Sequence, residues 1–176
     1  MWLKERELVE LVRATEATRS RAYAMMELAL RESIRRMELA GDGNDVEDQE
    51  YKRMIEQFGL EMQASRETLD MVILDLAEHT ELLEPIKKLR SLEDEKLVAT
   101  VSLHALKRAL ALADIQIRSG NGSDNPRPMI EISVEKLRER EMELCRNIEA
   151  LIVNIRDEHD CISEVLAEQE LRAEQE

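Results

Sequence analysis

A chain of 176 residues with 43% hydrophobic content can bury a core, yet it holds only five glycines and four aromatic residues, Trp2, Tyr23, Tyr51 and Phe58. Leu, Glu, Ala, Arg and Met dominate, the straight-chain helix formers, which makes all-α the expected class. The net charge of −14 and a pI near 4.8 argue against an autonomous nucleic-acid binder, whose affinity would come from neutralised phosphates.

Met1 to Ser20 alternate charged and apolar residues without an apolar run, so no signal peptide is expected, and no stretch of ~18 uncharged apolar residues suggests a membrane span. The first helix is expected over residues 3–39, with Leu8, Leu11, Thr15, Ala22, Met25 and Ala29 as a small-residue stripe. It should stop at Gly41-Asp42-Gly43-Asn44-Asp45, read as a turn over 41–45. That segment lacks the ligand spacing of an EF-hand.

The second helix, residues 46–78, carries the clearest signal of the chain. Tyr51, Ile55, Phe58, Met62, Ser65, Leu69, Val72, Leu76, His79 and Leu83 follow one another at spacings of 4 and 3 without a slip. A straight α-helix repeats every 3.6 residues, so a strict 3.5-residue stripe of this length predicts a coiled-coil seam along another helix.

Pro85 disfavours helical geometry in Glu84 and suits a first turn, so the third helix is expected over 85–118. Its stripe is Leu89, Leu92, Lys96, Ala99, Leu103, Leu106, Leu110, Ala113 and Ile117, with Leu97, Val101 and Leu112 making a second apolar face. A polar loop over 119–128, closed by Pro126 and Pro128, separates it from a fourth helix over 129–172. There the stripe is Val134, Leu137, Leu144, Ile148, Leu151, Ile155, Ile162 and Val165, with Glu141 and Glu158 also in core phase. Lys96 either pairs with one of these glutamates or extends its stem to solvent.

Long helices and short connections predict one domain over 1–176, an elongated antiparallel bundle or coiled coil of four helices. Ile162, Val165, Leu166 and Leu171 continue the apolar stripe past the point where shorter helices would cover it, which marks them as a partner-binding surface. Cys145 and Cys161 lie 16 residues apart on one helix, roughly 24 Å along its axis, too far to bridge; free thiols favour a reducing intracellular compartment.

Catalytic signatures are absent from the sequence. There is no phosphate loop, no nucleophile elbow, no Cys-x-x-Cys and no Glu-x-x-His, and the histidines are His79, His104 and His159, one on each of three helices. A non-enzymatic protein without a cofactor or metal is expected, working through coiled-coil contact with other helical proteins or with further copies of itself.

The run from Leu82 through Glu84, Pro85, Leu89, Leu92, Glu95, Lys96, Leu97 and Thr100 to Leu103 resembles the central segment of the "required for excision" type-B small DNA-repair family. Arg21 with Tyr23, Tyr51 with Lys52, and Ile152-Val153-Asn154-Ile155-Arg156-Asp157-Glu158 are compatible flanks, so the resemblance spans residues 8–166; the 119–128 loop departs from it. It implies an accessory, non-enzymatic role in excision repair, nuclear or cytoplasmic, with no catalytic residues to transfer. The alternative from the helical pattern is a structural coiled-coil component of a cytoskeletal or ciliary assembly.

Overall fold

The computed structural model describes residues 2–40, 48–76, 80–119 and 127–174, which form four helices: α1 (Trp2–Ala40), α2 (Gln49–Asp75), α3 (Leu83–Ser119) and α4 (Arg127–Ala173). Among the described residues there is no strand, and the fold is an all-α helical bundle. The expected turn at 41–45, residues 120–126 of the expected loop 119–128 and His79 of the α2 seam lie outside the described residues, while Ser119 still belongs to α3 and Arg127 and Pro128 already belong to α4.

Local chemistry sets two of the helix starts. The Asp48 carboxylate accepts a hydrogen bond from the Tyr51 backbone N–H at 3.0 Å, the arrangement of an N-cap residue satisfying an orphan donor of the first turn. Helix α3 begins at Leu83 rather than at Pro85, because a proline in the first turn lacks only an N–H that has no intrahelical acceptor there.

Contacts divide the chain into two compact units, each drawing a section from every helix. Unit 1 comprises Met1–Ala22, Gly59–Leu97 and Ala150–Glu176. Within it α1 and α4 run antiparallel, since Arg6 faces Glu170 at 3.7 Å and Arg13 donates to Ser163 at 3.3 Å. α2 and α3 are also antiparallel, through Arg66–Asp94 at 3.5 Å and Arg90–Asp70 at 2.5 Å. Val9, Val12, Leu69, Val72, Leu89 and Ile162 fill its core.

Unit 2 comprises Tyr23–Phe58 and Val98–Glu149. Here α1 and α2 are antiparallel: Arg36 reaches Asp48 at 3.3 Å at one end, and the Tyr23 and Phe58 rings meet edge to face, 5.4 Å between centroids, at the other. Met26, Leu30, Met37, Leu103, Leu110 and Leu144 are buried in it. Arg108 stacks over the Tyr51 ring at 4.4 Å, a cation–π contact joining α3 to α2.

The α2 seam packs as its spacing predicts at Tyr51, Phe58, Met62, Ser65, Leu69, Val72 and Leu76, all buried. Ile55 stands 40% exposed, with Met54 half-buried beside it. The α1 stripe differs from expectation. Leu11 and Met25 face solvent, and the buried positions are Glu5, Leu8, Val9, Val12, Thr15, Glu16, Arg19, Ala22, Met26, Leu30, Ser33 and Met37. The cause is chemical: charged Glu16 and Arg19 occupy the core phase, so a stripe built from uncharged residues alone keeps the buried Leu8, Thr15 and Ala22 but strays onto the neighbouring face at Leu11 and Met25.

Candidate interaction surface and buried charge clusters

The four residues expected to form a partner-binding surface on α4 separate into two kinds. Ile162 is 2% exposed and Leu166 8%, both committed to the core of unit 1. Val165 is half-buried, and only Leu171, at 59%, stands open. The reason lies in α1, which starts at Trp2 and runs antiparallel to α4 so that Arg6 faces Glu170; α1 therefore covers a stripe that shorter helices would have left bare. Arg172 and Glu81, 3.6 Å apart, tie the same region to the α2–α3 connection.

A different row is open. On α2, Leu60 (69% exposed), Met71 (57%) and Leu74 (83%) point to solvent. With exposed Ala64 and Glu67 between them they step 4, 3, 4, 3 along the helix, the same heptad spacing as the seam. At 100° per residue this row lies on the side of α2 opposite Met62, Leu69 and Leu76. One helix thus presents two apolar rows, one spent on its own unit and one uncovered within it.

The core of unit 1 contains a charge cluster joining α1 to α3. Arg19 is 1% exposed and its Nε donates to Glu93 Oε2 at 3.1 Å, while Glu93 is fully buried. Lys96 Nζ donates to Glu93 Oε1 at 3.1 Å, so its ammonium turns inward to a carboxylate of its own helix, where the seam pattern predicts Glu141, Glu158 or solvent. Glu16 completes the group, its Oε1 3.9 Å from Arg19 Nε. Burial together with the adjacent Glu93 carboxylate pushes the Glu16 carboxyl up to about 8, against the opposing charges of Arg19 and Lys96. Glu16 accordingly carries its proton at neutral pH, and the two carboxyls share a hydrogen bond. Glu16 Oε1 and Arg19 Nη2 are buried with no hydrogen-bond partner. Such a cluster gives little net stability, since desolvating each charge costs several kcal/mol that pairing only offsets, but it fixes the α1–α3 register because a shifted register strands the charges.

His159 on α4 is half-buried in the same unit and is lowered by burial, with the Glu93 charge acting the other way. Glu158, in core phase as expected, is buried and held by Lys88 of α3.

Unit 2 has its own polar centre. His104, 3% exposed, lies with Nε2 3.2 Å from Glu27 Oε2, and its Nδ1 is buried without a partner. Burial lowers the imidazole below its ordinary value despite Glu27, so the ring is neutral at pH 7. Assigning its proton to Nε2, where it can donate to Glu27, follows from that contact. Lys107 reaches the other Glu27 oxygen at 3.5 Å, and Arg108 donates to Ser33. A cavity of about 550 Å³ lined by Asp114, Ile117, Val134, Glu135 and Arg138 opens between α3 and α4 of this unit, with the Asp114–Arg138 pair, 3.3 Å apart, on its wall.

Several basic side chains of α1 and α3 are tied to acidic neighbours. Arg31 pairs with Glu27 at 3.3 Å, Arg35 with Glu32 at 2.8 Å, Arg36 with Asp48 and Glu50, and Lys87 with Glu84 at 2.8 Å. Cys145 and Cys161 are free thiols, both half-buried. No group of three His, Cys, Asp or Glu side chains among the described residues is placed to hold a metal ion, and no described helix is long and apolar enough to cross a membrane.

Comparisons with known protein families, with curated proteins and with solved structures find no match. The segment from which a resemblance to the excision-repair family is expected, Leu82 to Leu103, forms the entry and first half of α3, and Leu82, Ile86, Leu89, Leu92, Glu93, Ala99 and Leu103 within it are buried. Much of what that segment encodes is therefore helix packing.

Proposed function

We propose that this chain is a non-catalytic helical subunit that acts by docking other helices, with the outward row of α2 as its principal contact. The observation that carries the reading is the second heptad row: Leu60, Met71 and Leu74 are each more than half exposed on a helix whose opposite face already fills the unit's core. Apolar side chains scattered singly over a surface are ordinary, but a row in heptad register has the form of an unpaired coiled-coil face. The resemblance carried by Leu82–Leu103 supports an accessory place in a DNA excision-repair assembly, where the contribution would run through protein partners.

The test is site-specific photocross-linking in cells. A photoreactive residue replacing Leu74 should give discrete adducts, and these should weaken when Leu60→Ser and Met71→Ser are added. The same residue placed at exposed Glu7 of α1 serves as the control. If the two positions label alike, or the adducts ignore the added substitutions, α2 is not the contact. Recovery of excision-repair proteins among the adducts supports the repair assembly, whereas tubulin-associated proteins would move the chain to the cytoskeletal class.

A further inference from the structure

The occupant of the α2 row can be specified, on the reading that the row is a docking face. From Leu60 to Leu74 it covers two heptads, roughly 21 Å of helix at 1.5 Å per residue, which fits a helical segment of about fifteen residues. Its borders are acidic. Glu61, Glu67, Asp70 and Asp75 lie on or beside the row, while the one basic residue of this stretch, Arg66, is drawn toward α3 by Asp94 at 3.5 Å. Asp70 is engaged by Arg90. Glu67, in the middle of the row, accepts a hydrogen bond from the neutral Gln63 amide at 2.9 Å, which leaves its charge uncompensated by that contact.

These charges decide between occupants. A second copy laid antiparallel on the row would be centred on Glu67, placing two glutamates against each other as water is excluded, and like charges directly opposed are repulsive. A helix bearing Lys or Arg beside its apolar anchors removes that penalty and supplies charge-assisted pairs at the rim. We infer that the outward face of α2 receives a basic amphipathic helix from a partner protein, with Leu60, Met71 and Leu74 meeting its apolar anchors and Glu67 facing a cation.

The experiment uses the full chain and synthetic peptides that carry leucine at heptad spacing. One peptide is flanked by lysine, one by glutamate, and a third keeps the lysines but replaces the leucines by serine; binding is read by fluorescence anisotropy at physiological salt. The lysine–leucine peptide should bind at least about tenfold more tightly than either control. Met71→Ser with Leu74→Ser should weaken it by about tenfold or more, and Glu67→Lys should shift preference toward the glutamate peptide. All three positions are exposed, so circular dichroism and thermal midpoint should be unchanged and report that the variants fold.

Equal binding of the lysine and glutamate peptides, or binding indifferent to the leucines or to Leu74, overturns the inference. Sedimentation velocity showing self-association that Leu74→Ser abolishes puts a second copy on the face; the basic partner helix is then wrong while docking at α2 stands. If no peptide binds and cross-linking from position 74 is also silent, both the occupant and the docking reading fall.

Discussion

Among the described residues, Glu16 is the one whose acidity lies furthest from its ordinary value. Its carboxyl is raised to about 8 in the folded chain by burial and the neighbouring Glu93, against an ordinary value of 4.5. Between those limits the folded state retains a proton that the unfolded chain releases, so this group's contribution to stability is complete at low pH and falls as pH rises through about 8. One proton of difference gives a slope of at most ~1.4 kcal/mol per pH unit. His104 and His159 act in the opposite sense: both are lowered, mainly by burial, so their neutral forms support the fold above their ordinary value of 6.5 and that support is lost as pH falls below it. Comparing a Glu16→Gln variant with the parent largely cancels the histidine contributions. The expected result, by urea unfolding at several pH values, is a variant that gains stability relative to the parent as pH rises from about 5 to 8. A constant difference across that range would mean that Glu16 is ionised in the fold and the cluster carries an ordinary carboxylate.

At the level of the helix, Leu69 is the position where seam and core coincide, since it is 0% exposed at the middle of the α2 stripe. Leu69→Ala should cost ~2–5 kcal/mol through lost apolar transfer and the cavity left behind, read as a fall in the urea midpoint. A loss below ~1 kcal/mol would show that unit 1 does not depend on this seam. The seam is legible in the sequence because a 3.5-residue period of mostly large apolar residues arises in few arrangements besides one helix laid along another. The α1 stripe is not, because Glu16 and Arg19 continue the 3, 4, 3 spacing of Val9 and Val12 but read as surface residues when burial is judged by polarity. Their partner, Glu93, is likewise invisible until the fold brings α1 against α3. Two members of the stripe expected on α4, Ile162 and Leu166, are buried for a related reason: helix lengths taken from sequence do not say how far α1 reaches along its neighbour, and Arg6 opposite Glu170 shows that it reaches far enough. The outer row of α2 does leave a signal. Leu60, Met71 and Leu74 are in heptad register in the sequence, but the inner seam is the stronger pattern on that helix and masks it.

At the scale of the whole molecule, charge bears most directly on the proposed assembly. The net charge is −14, and thirteen Asp and Glu against three Lys and Arg fall between residues 41 and 84. The clusters that offer cations are largely satisfied within the fold, as Arg31, Arg35, Arg36, Lys87 and Arg90 each have a carboxylate partner. Duplex DNA binds proteins chiefly through neutralised phosphates and released counterions, so a cation already held by a carboxylate gains little on meeting a phosphate. The isolated chain is therefore expected to show no appreciable affinity for a random duplex at about 150 mM salt, by anisotropy of a labelled oligonucleotide at up to tens of micromolar protein, a range that covers ordinary non-specific binding. Lowering the salt should reveal at most a weak signal. Micromolar binding with a steep salt dependence, lost on Arg31→Glu, Arg35→Glu and Arg36→Glu together, would establish a direct nucleic-acid role and displace the view that partners supply it. The same acidity that argues against DNA binding favours the basic helix inferred at α2, so one property of the composition motivates both predictions.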